Sequence, residues 1–168
     1  MQPLHVLVGG ALRGAAAGAA GTTALNAATY LDMTARARPP SSTPQDTVGA
    51  LEERAGTSLP GSEEDRENRR GALGALTGIA AGVSVGALLG VAQAAGWRPR
   101  GPALAMFATV GALLAGNAPM TLLGVTDPRK WAAADWAADI VPHVAYGAVA
   151  AATLSVARPE TSLRSATP

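Results

Sequence analysis

The sequence predicts an all-α polytopic membrane protein: a compact bundle of four transmembrane helices with a polar loop between helices 1 and 2. Two observations predict it. The 168-residue chain is 48% hydrophobic and 15% charged, and its charges are segregated. None falls between Arg13 and Asp32, Arg70 and Arg98, Arg100 and Asp127, or Asp139 and Arg158, gaps of 18, 27, 26 and 18 residues. A helix crosses the hydrocarbon layer with about 20 mostly apolar residues, in a range of about 17–25. The second and third gaps meet this outright. The first and fourth are short, and the first is weakly apolar, its Ala and Gly being mixed with Thr22, Thr23, Asn26 and Thr29. The second observation concerns glycine. A water-soluble bundle keeps a charged face on each helix, yet residues 71–97 carry no charge on any face and are rich in Gly. Each Gly costs a soluble helix roughly 0.8–1 kcal/mol relative to Ala, whereas helices in lipid use it for close packing.

In chain order, the first helix is expected over about 4–33, with Arg13 reaching to the headgroups and Arg36, Arg38, Pro39 and Pro40 marking its end. Small residues near 19–21 give the start a superficial likeness to a signal peptide. No basic residue precedes the apolar stretch, however, and Arg13 interrupts it, so a retained helix is expected. The segment 34–62 is polar. Within it Thr43, Pro44 and Asp46 have the pattern of an N-cap, a first-turn proline and an acidic first turn, predicting a short surface helix to about Arg54 that packs through Val48 and Leu51. Ser62 before Glu63, Glu64 and Asp65 predicts another N-cap with negative charge at the positive end of the helix dipole. That helix is expected over about 63–97, roughly 50 Å long, so that its first two turns project beyond the hydrocarbon layer. The third and fourth helices are expected at about 102–125 and 132–157, and 158–168 form a polar tail. The basic residues divide too evenly between the two sides to orient the chain by the positive-inside rule.

Two glycine series recur every four residues: Gly10, Gly14 and Gly18 on the first helix, and Gly74, Gly78, Gly82, Gly86 and Gly90 on the second. Residues four apart share a helix face, so each series predicts a glycine zipper, a groove into which another backbone settles. The groove serves packing within the bundle or between protomers. The expected partners are therefore the lipid bilayer and, through these faces, a second copy or a larger membrane complex. No Gly-rich run ends in Gly-Lys-Ser or Gly-Lys-Thr, which argues against a phosphate loop.

Asp135, Asp139 and His143 follow at four-residue intervals on the fourth helix, with Tyr146 three further on, a stripe leading inward from the interface marked by Trp131 and Trp136. Charged groups at depth seldom face lipid. The expected topology brings Asn26 of the first helix, with Thr22, to comparable depth, and Asn117 of the third beside a kink at Pro119, while Pro142 leaves a backbone carbonyl without its donor next to His143. The stripe has two readings. It fixes helix register in a structural or accessory membrane subunit, or it relays protons or holds a small solute, because carboxylate and imidazole groups can titrate near neutral pH. Asp and His at this spacing also occur often by chance, so no metal site is assigned. A net charge of +1 without a basic stripe gives no nucleic-acid signal, and the absence of cysteine excludes disulfides and thiolate ligands. Without a hydrolase or metalloprotease motif, and with Ser84 alone near His143, no enzyme activity and no cofactor are expected.

The run Leu123, Gly124, Val125, Thr126, Asp127, Pro128, then Trp131, Asp139, Ile140, His143 and Tyr146 resembles the C-terminal half of the YagU-like bacterial inner-membrane proteins. The stretch Pro39, Pro40, Ser42, Thr43, Pro44 after a Gly/Ala-rich helix is similar too, and together these motifs cover about a third of the chain. The resemblance implies a multi-pass protein of the bacterial cytoplasmic (inner) membrane, in a family of unclear molecular function linked to acid tolerance in enteric bacteria. It singles out Asp139 and His143 as candidate functional positions. Twelve Arg against one Lys fits a GC-rich bacterial genome. The glycine series and the charged start of the second helix have no counterpart in that family.

Overall fold

The computed structural model describes residues 2–157. Among them the chain is all-helical: α1 (Leu4–Arg36), α2 (Thr43–Ala55), α3 (Glu63–Ala94), α4 (Gly101–Leu122), a 3-10 turn (Pro128–Lys130) and α5 (Ala133–Val156). Three helices, α3, α4 and α5, are long and apolar enough to cross a membrane. At 33 residues α1 is the longest, but it is not apolar enough to join them. The predicted tail 158–168 lies outside the described residues.

Local chemistry sets the boundaries. Ser62 and Asp65 form a reciprocal capping box at the start of α3: the Asp65 amide donates to Ser62 Oγ at 3.2 Å and the Ser62 amide to Asp65 Oδ2 at 3.0 Å. The predicted helices at 63–97 and 102–125 each end three residues early, and glycine is the reason. Gly96 and Gly124 take left-handed backbone angles, φ +106° and +76°, and the amide after each returns to a carbonyl of the last turn, Trp97 to Ala92 at 3.0 Å and Val125 to Met120 at 2.9 Å. α1 runs on to Arg36 instead of stopping near 33. There Ala37 is left-handed and turns Arg38 back, so that Asp32 is held by Arg36 and Arg38 at 2.8 and 2.6 Å. α2 begins at Thr43 rather than after it, with Ser42 preceding the helix and its hydroxyl donating to Asp46 Oδ2 at 2.7 Å.

α1 runs antiparallel to α3 and packs on α5 as well. α5 packs on α4, and α3 and α4 meet along the remaining side. The interior is built from small residues. Ala17, Ala108, Ala112, Ala150 and Ala151 are buried with Val85 and Leu154, and among the described residues only Tyr146 and Leu104 are large side chains buried completely. Large apolar side chains lie outside instead, among them Leu12, Leu76, Leu88, Leu114 and Val141. Small residues within and large ones without reverse the order found in water, and suit helices whose contacts come from close backbone approach while lipid covers the exterior. α2 lies across the end where α3 starts. A Cβ on Gly74 would fall 2.8 Å from the carbonyl carbon of Pro44, and Arg54 donates to the Leu122 carbonyl at the end of α4, 3.1 Å away.

Candidate functional site

The glycine series meet residue for residue over part of their length. A Cβ on Gly10 would lie 2.6 Å from the Gly90 carbonyl oxygen, one on Gly18 would lie 2.5 Å from that of Gly82, and Gly14 faces Gly86 more closely still. Real Cβ atoms do not approach backbone so closely, so these positions admit only glycine while the helices stay in place. Beyond Gly82 the pattern stops. A Cβ on Gly78 would meet nothing within 4 Å, and Gly74 touches α2 instead of α1. Two further glycines within the helices, which the spacing did not single out, make contacts as close. Gly21, three residues after Gly18, rests on the ring of Tyr146, and Gly147 sits 2.5 Å, measured from its would-be Cβ, from the Ala105 carbonyl oxygen of α4. Gly21 is recoverable from the sequence as an i, i+3 neighbour on the same face. Gly147 stands outside any series.

The polar stripe of α5 divides into three separate arrangements. Asp135 is exposed and acts locally: as the third residue of the helix it accepts the Ala132 amide at 2.9 Å, satisfying one of the donors that a helix start leaves open. One turn on, Asp139 Oδ2 accepts from Asn117 Nδ2 at 2.8 Å, a side-chain link between α4 and α5. His143 follows, about 15 Å along the helix from Ala133 at 1.5 Å per residue. Its Nδ1 lies 2.6 Å from the Asp139 backbone oxygen and 3.5 Å from Asp139 Oδ1. A carbonyl oxygen only accepts, so Nδ1 carries the hydrogen of the neutral ring and Nε2 the lone pair. Nε2 makes no hydrogen bond among the described residues, and a Cβ on Gly116 of α4 would stand 3.8 Å from it. The side chains of His143 and Asp139 are 15% and 18% exposed.

Tyr146 turns away from this group. Fully buried, it donates to the Gly82 carbonyl at 2.6 Å, while Thr22 of α1 packs on Gly82 and returns its own hydroxyl hydrogen to the Gly18 carbonyl at 2.9 Å. Three helices thus meet at one peptide. Asn26, half-buried on α1, hydrogen-bonds to none of Asp135, Asp139, His143, Tyr146 or Asn117.

A second polar centre escaped the sequence reading. Glu52 of α2 is buried, accepts from Arg70 Nε at 2.6 Å and from the Leu59 amide at 2.5 Å, and these bonds hold its carboxyl below the usual glutamate range, that from Arg70 having the larger effect. Arg70 also reaches Glu63 at 3.2 Å. An open hollow of about 580 Å³ beside this pair is lined by Gln45, Asp46, Glu53, Glu63, Glu67 and other residues of α2 and the start of α3. Its signal, an acid and a base 18 residues apart across a turn, cannot be told from a solvated pair without the fold. Among the described residues no three His, Cys, Asp or Glu side chains converge as a metal site requires. Comparison of the chain with family models, curated proteins and solved structures finds no match.

Proposed function

We propose that this chain is a four-span structural or accessory subunit of a bacterial cytoplasmic membrane, without enzymatic activity. Membership of α1 in the membrane is supported by its company. It lies backbone to backbone on α3, itself long and apolar enough to span, and the residues it exposes between Val8 and Leu31, which are Val8, Leu12, Ala16, Ala19, Thr23, Ala27, Tyr30 and Leu31, carry no charge. Water favours a charged outer face on such a helix. The bacterial assignment rests on the resemblance to YagU-like proteins and on the Arg-rich composition.

The observation that carries the structural reading is the division of the stripe. Asp135 caps its own helix, Asn117 and Asp139 join α4 to α5, and Tyr146 joins α5 to α3. A relay along the helix needs neighbouring groups to hand protons on, and here Asp135 is engaged at its own helix start while Asp139 and Tyr146 bond sideways to other helices. Two measurements test the proposal. The native chain has no Cys, so single cysteines at Gln2 and Ser58 report their sides of the membrane, and labelling of both from one side would remove α1 from the spans. In reconstituted vesicles with an internal pH dye, the protein should carry no proton flux. Flux in wild type that disappears in folded Asp139→Asn and His143→Gln variants would overturn the structural reading in favour of proton handling.

A further inference from the structure

The carboxylates divide unevenly between the two ends of the bundle. Among the described residues every Asp and Glu lies in the half where α1 ends, from Asp32 and the α2 segment to Asp139 on α5. Cations meet them there, as Arg36 and Arg38 meet Asp32 and Arg129 meets Asp127. The half where α1 begins carries Arg13, Arg98 and Arg100, and these make no ion pair among the described residues. We propose that this end binds the headgroups of anionic phospholipids, through Arg98 and Arg100 in the turn between α3 and α4, with Arg13 adding to the same positive field. With α3 and α4 crossing the membrane, as the accessory-subunit reading requires, the turn stands at one interface, and the class of lipid held there goes beyond that reading.

Local structure places these groups at one level. Gly96 is left-handed and the Trp97 amide returns to the Ala92 carbonyl, which sets the Trp97 ring edge-on to Phe107 of α4 with centroids 4.9 Å apart. Both rings are exposed, as are Met106, Arg98 and Arg100. Indole rings favour the headgroup level, where one end is apolar and the other wet. Arg13 reaches that level from within α1. Gly10 packs on Ala94 in the last turn of α3, and Arg13 Nη1 lies 3.4 Å from the would-be Cβ of Gly9, so the guanidinium runs back toward the helix start. Charge then selects the ligand. A zwitterionic headgroup has no net charge to offset the arginines, whereas an anionic one balances them. The exposed apolar side chains beside the cations suit a ligand with an acyl chain as well as an anion, which a free phosphate lacks.

The chain has three tryptophans, so full-length protein with Trp131→Phe and Trp136→Phe reports Trp97 alone. It is reconstituted in phosphatidylcholine vesicles holding a minor share of lipid brominated on its acyl chains, either phosphatidylglycerol or phosphatidylcholine, because bromine quenches an indole that it touches. Brominated phosphatidylglycerol should quench Trp97 at about one-fifth, or less, of the share that brominated phosphatidylcholine requires, since each arginine near an anionic headgroup enriches it about fivefold. Added salt should shrink that preference. Arg98→Gln together with Arg100→Gln should bring the two lipids to parity and leave quenching by brominated phosphatidylcholine as it was. In Trp97→Phe protein, Trp131 and Trp136 read the opposite end and should show no preference. Should the double Phe background fail to fold, bimane on a cysteine at Gly101, where a Cβ would meet nothing within 4 Å, reads the same turn in a chain with no other Cys. Equal quenching of Trp97 by the two lipids, an equal preference at both ends, or a preference that survives the double Gln change would overturn the proposal and leave the spanning helices in place. No quenching of Trp97 by either lipid would overturn it together with the position of the turn at the interface.

Discussion

At the end of the bundle where α1 begins, Gly10, Gly14 and Gly18 bring the backbone of α1 against that of α3, and shape holds the helices. At the opposite end the same two helices part at Gly78, and polar links take over: Asn117 to Asp139, Arg38 to Asp32, Arg54 to the Leu122 carbonyl, Arg70 to Glu52. Tyr146 stands at the boundary, its ring on Gly21 and its hydroxyl on Gly82. Close packing in lipid forms where side chains are absent on both partners. Where one partner regains side chains the helices separate, and the polar groups uncovered there must find one another.

The widest difference between the two ends should appear in glycine substitutions. Gly86→Leu would drive a side chain into the backbone of Gly14 and Gly18, with no flexible neighbour to yield, and should cost about 3 kcal/mol or more, seen as loss of the thermal transition in detergent. Gly78→Leu, eight residues earlier in the same series, should stay within about 0.5 kcal/mol of wild type. Equal effects would mean that the two ends are held alike.

At the boundary, Tyr146→Phe keeps the ring and removes the bond to the Gly82 carbonyl. A loss of about 1 kcal/mol is expected in the same melting assay. In the polar end, Asn117→Leu removes the α4–α5 link and leaves Asp139 without that donor. Measured side-chain hydrogen bonds between membrane helices average about 0.6 kcal/mol, with a maximum near 1.7, so a smaller loss than at Gly86 is expected. A larger loss at Asn117 than at Gly86 would reverse the comparison.

How far these features were legible in the sequence follows the same division. The three long apolar helices, α3, α4 and α5, came from the charge gaps, because segregation of charge is a property of the chain alone, whereas α1 fell in a gap of the same kind and is not apolar enough to join them. The ends at Gly96 and Gly124 were missed although the signal was present: a glycine after an apolar run is a common helix stop. The four-residue spacing identified the faces of α1 and α3 but not where the contact ceases, since Gly78 and Gly82 look the same until the crossing is known. For the stripe, spacing put Asp135, Asp139, His143 and Tyr146 on one side of α5, but each hydrogen-bonds according to what stands opposite, a property of α3 and α4. The ion pair of Glu52 and Arg70 was invisible for that reason too: only the fold of α2 onto α3 removes it from water.

That pair gives the smallest effect and the one with a pH signature. The hydrogen bonds from Arg70 and from the Leu59 amide favour the ionised form of Glu52, so the folded protein binds this proton less readily than the unfolded chain. The stabilisation is therefore complete above the usual glutamate value of 4.5 and is lost as the pH falls below it toward the depressed folded value. What loosens is the docking of α2 on α3, whose backbones otherwise come together at Gly74 and Pro44. Spin labels on the exposed Ala55 and Glu67 should report a narrow distance distribution at pH 6 that broadens below about pH 4.5. In Glu52→Gln the amide cannot ionise, so the distribution should be broad already at pH 6 and change little on acidification. Among the described residues the glycine end has no carboxylate to protonate, and labels on Leu12 and Leu88 should keep their distance throughout. Broadening at both ends together would show that acid unfolds the bundle as one unit, and would end the distinction between an end held by shape and an end held by charge.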